Sequence, residues 1–439
     1  MADIAPFHGY RFSEGKVGAP GEVISPPYDV IDAEMREALL GRNAYNIARI
    51  IRSPEAETEP AGGRYTAAAA LFHSWMDEGA LGREERPALY VYRQDYAVEG
   101  KRFTRLGLVA RVKLAELGEG VRPHERTLAG PKADRLELLT RTRAHFGQVF
   151  GLIPDEGGAL DALLREAACG APALDATDDD GVRHALYVVA DEKRIAALQA
   201  AAAPGEVFIA DGHHRYETAL NYKHAHPKLE DANWTLMTLV SFASEGLAIL
   251  PTHRLVKAVA SFDAAKLLEE AGAEFEVRRF DFDATSASSR DRALEELKTA
   301  LAAAFAGGGH ALGLYAPGTL ALLTLKNLTS MNDSGAESAA WKSLDVAILH
   351  KLLLEKRLGI DDAALERQTN VEYLKDTGEA VAKGLAAVDA GTHQMLALVS
   401  PTRLSEVEAV ARAGEKMPQK STFFHPKVYT GLVIYRLER

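Results

Sequence analysis

Hydrophobic and polar positions alternate along FTRLGLVARVKL at 103–114, which places Leu106, Leu108, Ala110 and Val112 on one side of an extended chain. The preceding run ALYVYRQDY at 88–96 is rich in β-branched and aromatic residues, and AVEGK between the two predicts a hairpin. Apolar runs at 148–154, 184–191, 207–211 and 236–243 predict further strands. Helical spacing takes over at 64–78, where Tyr65, Ala69, Phe72 and Met76 recur, and at 134–145. It returns at 212–225, where Tyr216, Leu220 and Lys223 form one stripe beside Ala219 and Tyr222. The segment Phe7–Asp29 reads as irregular, because the consecutive prolines of SPPYDV fix φ and hold their neighbours extended, and a short helix follows at 30–41. The polar stretch 155–182 reads as peripheral.

After PTHRL at 251–255 the composition shifts toward Ala and Glu, with helices expected at 262–271 and 291–306. Runs at 310–317 and 320–326 make a hairpin across a two-residue turn, and 330–338 is a polar loop. Helices at 344–358, 376–389 and 403–412 and strands at 394–399 and 428–436 complete the pattern. This mixture predicts an α/β or α+β protein built on a mixed sheet. The expected division is a mixed α/β nucleotide-binding core at 1–250, a middle α/β subdomain at 251–340, and a C-terminal α/β subdomain at 341–439 packing on the core.

A chain of 439 residues is roughly three times the usual length of one domain, and 47% hydrophobic with 26% charged residues excludes global disorder. The balance of 51 basic against 62 acidic residues, a net charge of −11, argues against nucleic acid or an anionic membrane as partner. The single Cys169 excludes an intramolecular disulfide and cysteine-cluster zinc sites, and it fits a reducing compartment. With neither a signal-like N-terminus nor an apolar run near the roughly 20 residues that span a bilayer, the expected location is the cytoplasm.

Four polar clusters carry candidate chemistry. The first is the strand end VFIAD followed by GHHR at a helix start, residues 207–215. First-turn N–H groups, the positive end of the helix dipole and Arg215 offer an anion-binding corner; Gly212 admits close backbone approach, and Asp211 can cap, orient a histidine or hold a divalent cation. The second is RPHERTLAGPKADR at 122–135, where Glu125 can accept a proton and Arg126, Lys132 or Arg135 can neutralise phosphate. PTHR at 251–254 is the third, at the end of an apolar run. The fourth, GEKMPQKSTFFHPK at 414–427, supplies Lys416, Lys420, Ser421, Thr422 and Lys427 as phosphate-directed donors between two prolines.

The ordered set SPPYDVI, NAYNIARI, PHERTLAGPKADR, IADGHHRYETAL, LPTHR, LDVAILHKLLLE and GEKMPQKSTFFHPK, running from Phe7 to Ile434, resembles the DUF1015 family, also labelled SerC-like. The DGHHR segment is more distantly similar to the phosphate-binding corner of the ParB and sulfiredoxin superfamily, which includes archaeal free-serine kinases. That resemblance implies that Gly212, His213, His214 and Arg215 contact phosphates and that Asp211 assists Mg²⁺ or an acceptor hydroxyl. Sulfiredoxin chemistry needs a cysteine in this corner, where His213 and His214 stand instead.

The resulting expectation is a nucleotide-dependent phosphotransferase, kinase-like toward a small hydroxylated metabolite, or a nucleotide hydrolase. The nucleotide is ATP, ADP or CTP with Mg²⁺; Glu125 or His213 orients or deprotonates the acceptor, and Arg126, Lys132 and Arg215 stabilise developing charge. Lys416, Lys420 and Ser421 are expected to close on the same phosphates. The alternative is a nucleotide-sensing or protein-interaction module without turnover.

Overall fold

A computed structural model of the chain describes residues 3–53, 63–125, 129–203 and 205–438. They form two compact units, Met1–Ala248 with Pro426–Arg439, and Ile249–His425.

The first unit is built on a nine-stranded mixed sheet. Its strands are β1 (Ile4–Ala5), β2 (Leu89–Val98), β3 (Lys101–Lys113), β4 (Val121–Arg122), β5 (Val149–Ile153), β6 (Leu174–Thr177), β7 (Arg183–Val189), β8 (Val207–Asp211) and β9 (Trp234–Ser241). The spatial order is β4-β8-β5-β9-β3-β2-β7-β6, with β1 on the end of β3. β4 with β8 and β5 with β9 run parallel, and the remaining pairs are antiparallel. The β2–β3 turn is tighter than AVEGK suggests: the ladder continues to Val98 opposite Lys101, leaving Glu99 and Gly100 at φ 49° and 78°, the left-handed pair that suits strand twist.

The helices of this unit include α1 (Gly63–Asp77), α2 (Ala129–Thr142), α3 (Ala159–Ala167), α4 (Glu192–Ala202) and α5 (His213–Ala225). Leu106, Leu108, Ala110 and Val112 bury together against Leu160 and Leu164 of α3, Leu198 of α4 and Tyr216 of α5. The stretch 155–182 is therefore not peripheral. Leu160 and Leu164 share a helical face and Leu174 alternates with Asp175, a signal too short to stand out among the flanking polar residues.

The opposite sheet face is covered by the C-terminal strip. Gln94 donates to the Lys427 carbonyl at 3.0 Å, Tyr10 bridges to Ile434 and Ser25 to Thr430. The strand expected at 428–436 is this strip, with ladder pairing only at Tyr435–Arg436. Its partners change every few residues, and Gly431 at φ 89° bends it.

The second unit holds a six-stranded antiparallel sheet of β10 (Thr252–Val256), β11 (Phe275–Arg279), β12 (Ala311–Ala316), β13 (Thr319–Leu325), β14 (Val371–Lys375) and β15 (Met395–Val399), in the order β11-β13-β12-β15-β10-β14. One face packs on α6 (Ala287–Ala306) and α7 (Ala380–Asp389), and the other on the short helical pieces from Trp341 to Leu358. The expected boundary near 340 and the separate 341–439 subdomain do not match this division. β14 and β15 complete the sheet begun by β10, and residues 426–439 belong to the first unit. The helix expected at 344–358 is interrupted by a π-helix at Leu349–Glu355, and 371–375 pairs as a strand before the helix that begins at Ala380. Among the described residues no helix is long and apolar enough to cross a membrane.

Candidate functional site

The DGHHR corner lies where its sequence places it, and long-range contacts set its chemistry. On β8, Ile209 stands opposite Gly151, but the next residue opposite β5 is Asp211, facing Phe150. Ala210 is thus an extra residue in the ladder, and this bulge re-aims the Asp211 carboxylate. Phe150 pairs with Thr238 and Thr238 with Val109, so Asp211 shares the sheet face of Arg105, which is four residues from Val109 along the strand. Gly212 follows at φ 89° as the N-terminal cap of α5, and a Cβ there would come within 2.9 Å of Arg215 Nε.

Each oxygen of Asp211 takes one cation. Arg215 donates from Nη2 to Oδ2 at 2.8 Å, and Lys427 donates from Nζ to Oδ1 at 2.8 Å. Burial works to raise the Asp211 pKa, but Lys427, Arg215 and His213 outweigh it and hold the carboxyl well below the usual range. Arg215 also donates to the Gln148 carbonyl. Arg105 is buried, donates from Nε to Gln94 Oε1 at 3.1 Å and also reaches the Pro426 carbonyl. Its guanidinium lies 4.8 Å over the Phe150 ring, and the Asp211 charge partly offsets the lowering of its pKa by burial. Two cations thus bind this carboxylate directly and a third, Arg105, feels its charge, which makes an electropositive centre behind the first turn of α5.

Beside it, His124 and His213 meet edge to face at 4.7 Å. The His124 imidazole binds the Ile209 carbonyl through Nδ1 at 2.7 Å, and burial lowers its pKa. The His124 backbone N–H donates to His213 Nε2 at 3.3 Å, which assigns the proton of neutral His213 to Nδ1. That nitrogen is 3.8 Å from Glu125 Oε2. His213 Nδ1 therefore faces Glu125 from beyond hydrogen-bond distance, with Nε2 engaged by the His124 N–H.

A pocket of about 560 Å³, its open mouth included, adjoins the corner and is lined by Tyr28, Arg135, Phe146, Gly147, Arg215 and Thr218 among others. Arg135 lies 4.1 Å over the Tyr28 ring, and burial with the Asp29 charge pushes the Tyr28 phenol up to about 12. Asp134 accepts from Arg135 at 2.7 Å, Arg64 at 2.5 Å and Tyr65 at 2.9 Å, tying α2 to α1. Gly147 is required because a Cβ would meet Thr430 Oγ1 at 2.9 Å.

Of the residues singled out from sequence, Glu125, Asp211, Gly212, His213 and Arg215 come together here, and His214 is half-buried in the first turn of α5. Lys132 forms an ion pair with Glu217 of α5 at 2.8 Å. Arg126 lies outside the described residues. The fourth cluster is divided by the unit boundary: Lys427 reaches Asp211, whereas Lys416, Lys420 and Ser421 belong to the second unit. There Ser421 is buried and donates to the Pro418 carbonyl at 2.6 Å, and the Lys416 carbonyl accepts from Trp341 Nε1 at 3.1 Å. Arg105, Gln94 and Gln148 were missed. An arginine inside the alternating apolar pattern at 103–114 was the available signal for Arg105. Gln148 is buried, and neither polar atom of its side chain has a partner among the described residues.

The donor set does not fit Mg²⁺ held by Asp211. Both oxygens are taken by cations, and among the described residues no three His, Cys, Asp or Glu side chains gather as a ligand set.

No curated protein matches this sequence. Among solved structures, a conserved hypothetical protein from Pyrococcus furiosus is similar at 14% identity and TM-score 0.33, covering 73% of this chain and 92% of that one. A free serine kinase mutant in complex with ADP is similar at 12% identity and TM-score 0.35, covering 72% and 87%. The free serine kinase in complex with AMP is similar at 12% identity and TM-score 0.32, covering 72% and 86%. Likeness at this level carries no argument about what this chain binds. The family model described as protein of unknown function (DUF1015) matches residues 4–347, most of both units, and the chain belongs to the DUF1015 family.

Proposed function

We propose that the first unit binds a nucleotide by its phosphates and transfers the terminal phosphoryl group to a small hydroxylated metabolite or to water. The observation that carries this reading is the electropositive corner, in which Arg215 and Lys427 bind Asp211, Arg105 feels the same charge, and Arg215 also lines the adjoining pocket. Its cations answer phosphate charge, and the first-turn N–H groups of α5 add the favourable end of the helix dipole. The Tyr28 ring with the Arg135 guanidinium, at the pocket beside the corner, suits a base or sugar.

Asp211 is a positioning residue in this scheme. It holds Arg215 and Lys427 at fixed places, so that phosphate oxygens meet preorganised donors. Glu125 takes the proton of the acceptor hydroxyl, with His213 Nδ1 facing that carboxylate at 3.8 Å. The acceptor oxygen forms the new P–O bond as the bond to the leaving nucleotide breaks, its electron pair departing with the leaving phosphate oxygen. Lys132 and Arg135 neutralise charge from α2.

Calorimetry with ADP, ATP and CTP, together with phosphorus NMR of mixtures containing hydroxylated metabolites, tests the reading. Arg215→Ala should weaken nucleotide binding about 10- to 100-fold with the fold retained by circular dichroism. Glu125→Gln should keep affinity and lose phosphoryl transfer by about 10²- to 10⁴-fold. Absence of nucleotide binding would end the proposal. Binding with no transfer and no hydrolysis would leave the sensing module in its place.

A further inference from the structure

The second unit buries a charge that no acid answers among the described residues. Arg254 stands in the middle of β10, whose five residues are all buried, and its own exposure is 0%. It points to the sheet face shared by Tyr373 and Ala397, its cross-strand partners, and by Val256, which is in the apolar cluster beneath the π-helix. Every hydrogen-bond acceptor of its guanidinium is a backbone carbonyl: Thr252 for Nη1, and Gln419 and Lys420 at 3.1 Å each for Nη2. Nε has no partner, and burial draws the Arg254 pKa down to about 10.

Two further polar atoms are stranded nearby. Tyr373 lies with its ring centroid 5.2 Å from the guanidinium, and its hydroxyl is buried without a partner. His350, on the π-helix Leu349–Glu355, is buried and its Nε2 has no partner. Burial first, then the charges of Arg254 and Lys351, keep this imidazole neutral, so Nε2 is able to carry a proton and donate. Native interiors leave few such groups unsatisfied, and an uncompensated buried cation is more costly still. Ordered water would satisfy the hydrogen bonds and leave the charge. An anion answers both.

We propose that Arg254, His350 and Tyr373 form a binding site for a small carboxylate, beneath the loop that joins Arg412 to Phe423. One buried positive charge balances a monoanion and not a phosphate dianion. With both protons of Nη2 and one of Nη1 engaged, the guanidinium keeps Nε–H and the second Nη1–H, and with the imidazole N–H and the phenol O–H these suit the two oxygens of a carboxylate. The loop is tied to the site through the Gln419 and Lys420 carbonyls, and Lys420 takes the left-handed φ of 55° that a non-glycine residue seldom adopts. Both this strain and the π-helix are features that cluster at functional sites.

The full chain is titrated with acetate and propionate, and separately with inorganic phosphate and chloride at matched ionic strength, following thermal unfolding and binding heat. Acetate or propionate should raise the unfolding temperature, and phosphate and chloride should not. Tyr373→Phe keeps the ring under the guanidinium and removes only the stranded hydroxyl, so it folds. It and His350→Gln should each weaken carboxylate affinity about fivefold or more, and Arg254→Met should abolish it. Arg215→Ala in the first unit should leave the response intact, which separates this site from the nucleotide reading. No carboxylate response in the wild type, or an equal response in Tyr373→Phe and His350→Gln, would overturn the site. A phosphate response with the same dependence on these variants would overturn the choice of carboxylate.

Discussion

Arg105 in the first unit and Arg254 in the second are both buried on sheet strands and both are bound mainly by carbonyl oxygens. They differ in what answers the charge. Around Arg105 the chain supplies Asp211, which also binds Arg215 and Lys427. Around Arg254 it supplies dipoles alone and leaves three polar atoms unpaired. Carbonyls satisfy hydrogen bonds without cancelling charge, so the first region is held together by its own ions, and the second is complete only with an anion from outside.

The largest expected effect comes from removing the ion that organises the first region. Asp211→Ala leaves Arg215 and Lys427 as half-buried cations without a counter-charge and should destabilise the first unit by about 2–4 kcal/mol in urea unfolding. Adding Lys427→Met to that variant should recover part of the loss. A change below about 1 kcal/mol would mean that Asp211 is not the organising charge.

Acid should act on the two regions through different imidazoles. His145 is held neutral, its pKa lowered to about 4 by burial and raised in part by the Trp234 backbone. Because the unfolded chain protonates it near 6.5, its contribution is full above that pH and is lost as pH falls toward 4, about 3 kcal/mol in all. His145→Gln should flatten that part of the stability profile. Asp211 has the same sign at lower pH: its contribution is present through the neutral range and is lost only as pH falls below the ordinary carboxylate range toward its depressed folded value. In the second unit His350 is likewise held neutral, partly by Arg254, so Arg254→Met should weaken its acid sensitivity. An unchanged acid profile in that variant would separate His350 from the Arg254 charge.

Arg254→Met at neutral pH should cost about 1–3 kcal/mol, less than Asp211→Ala, because it removes an unanswered charge and strands only carbonyl acceptors. If it costs more, the carbonyls answer the charge better than the comparison holds. The smallest effect belongs to Tyr373→Phe without added carboxylate, within about 0.5 kcal/mol of wild type by urea unfolding, since a hydroxyl with no partner contributes no hydrogen bond to lose.

The sequence by itself determined what depends on near neighbours. Alternation at 106–112 placed four apolar residues on the buried face, and VFIAD followed by GHHR fixed a strand end and a helix start, because both patterns repeat within a few residues. The two-residue hairpin turn was equally local, though it falls at 317–318, one residue before the expected place, with Gly318 at φ 68°. Only the tertiary structure decided the direction of Asp211, since a bulge is defined against the partner strand and leaves no mark in the periodicity of its own. It also decided that Lys427 reaches Asp211 across 216 positions and that GEKMPQKSTFFHPK is divided between two units. The polar types in that segment were legible; their partners were not, because charges on a loop find partners through strand order and chain return, neither of which is written in local spacing.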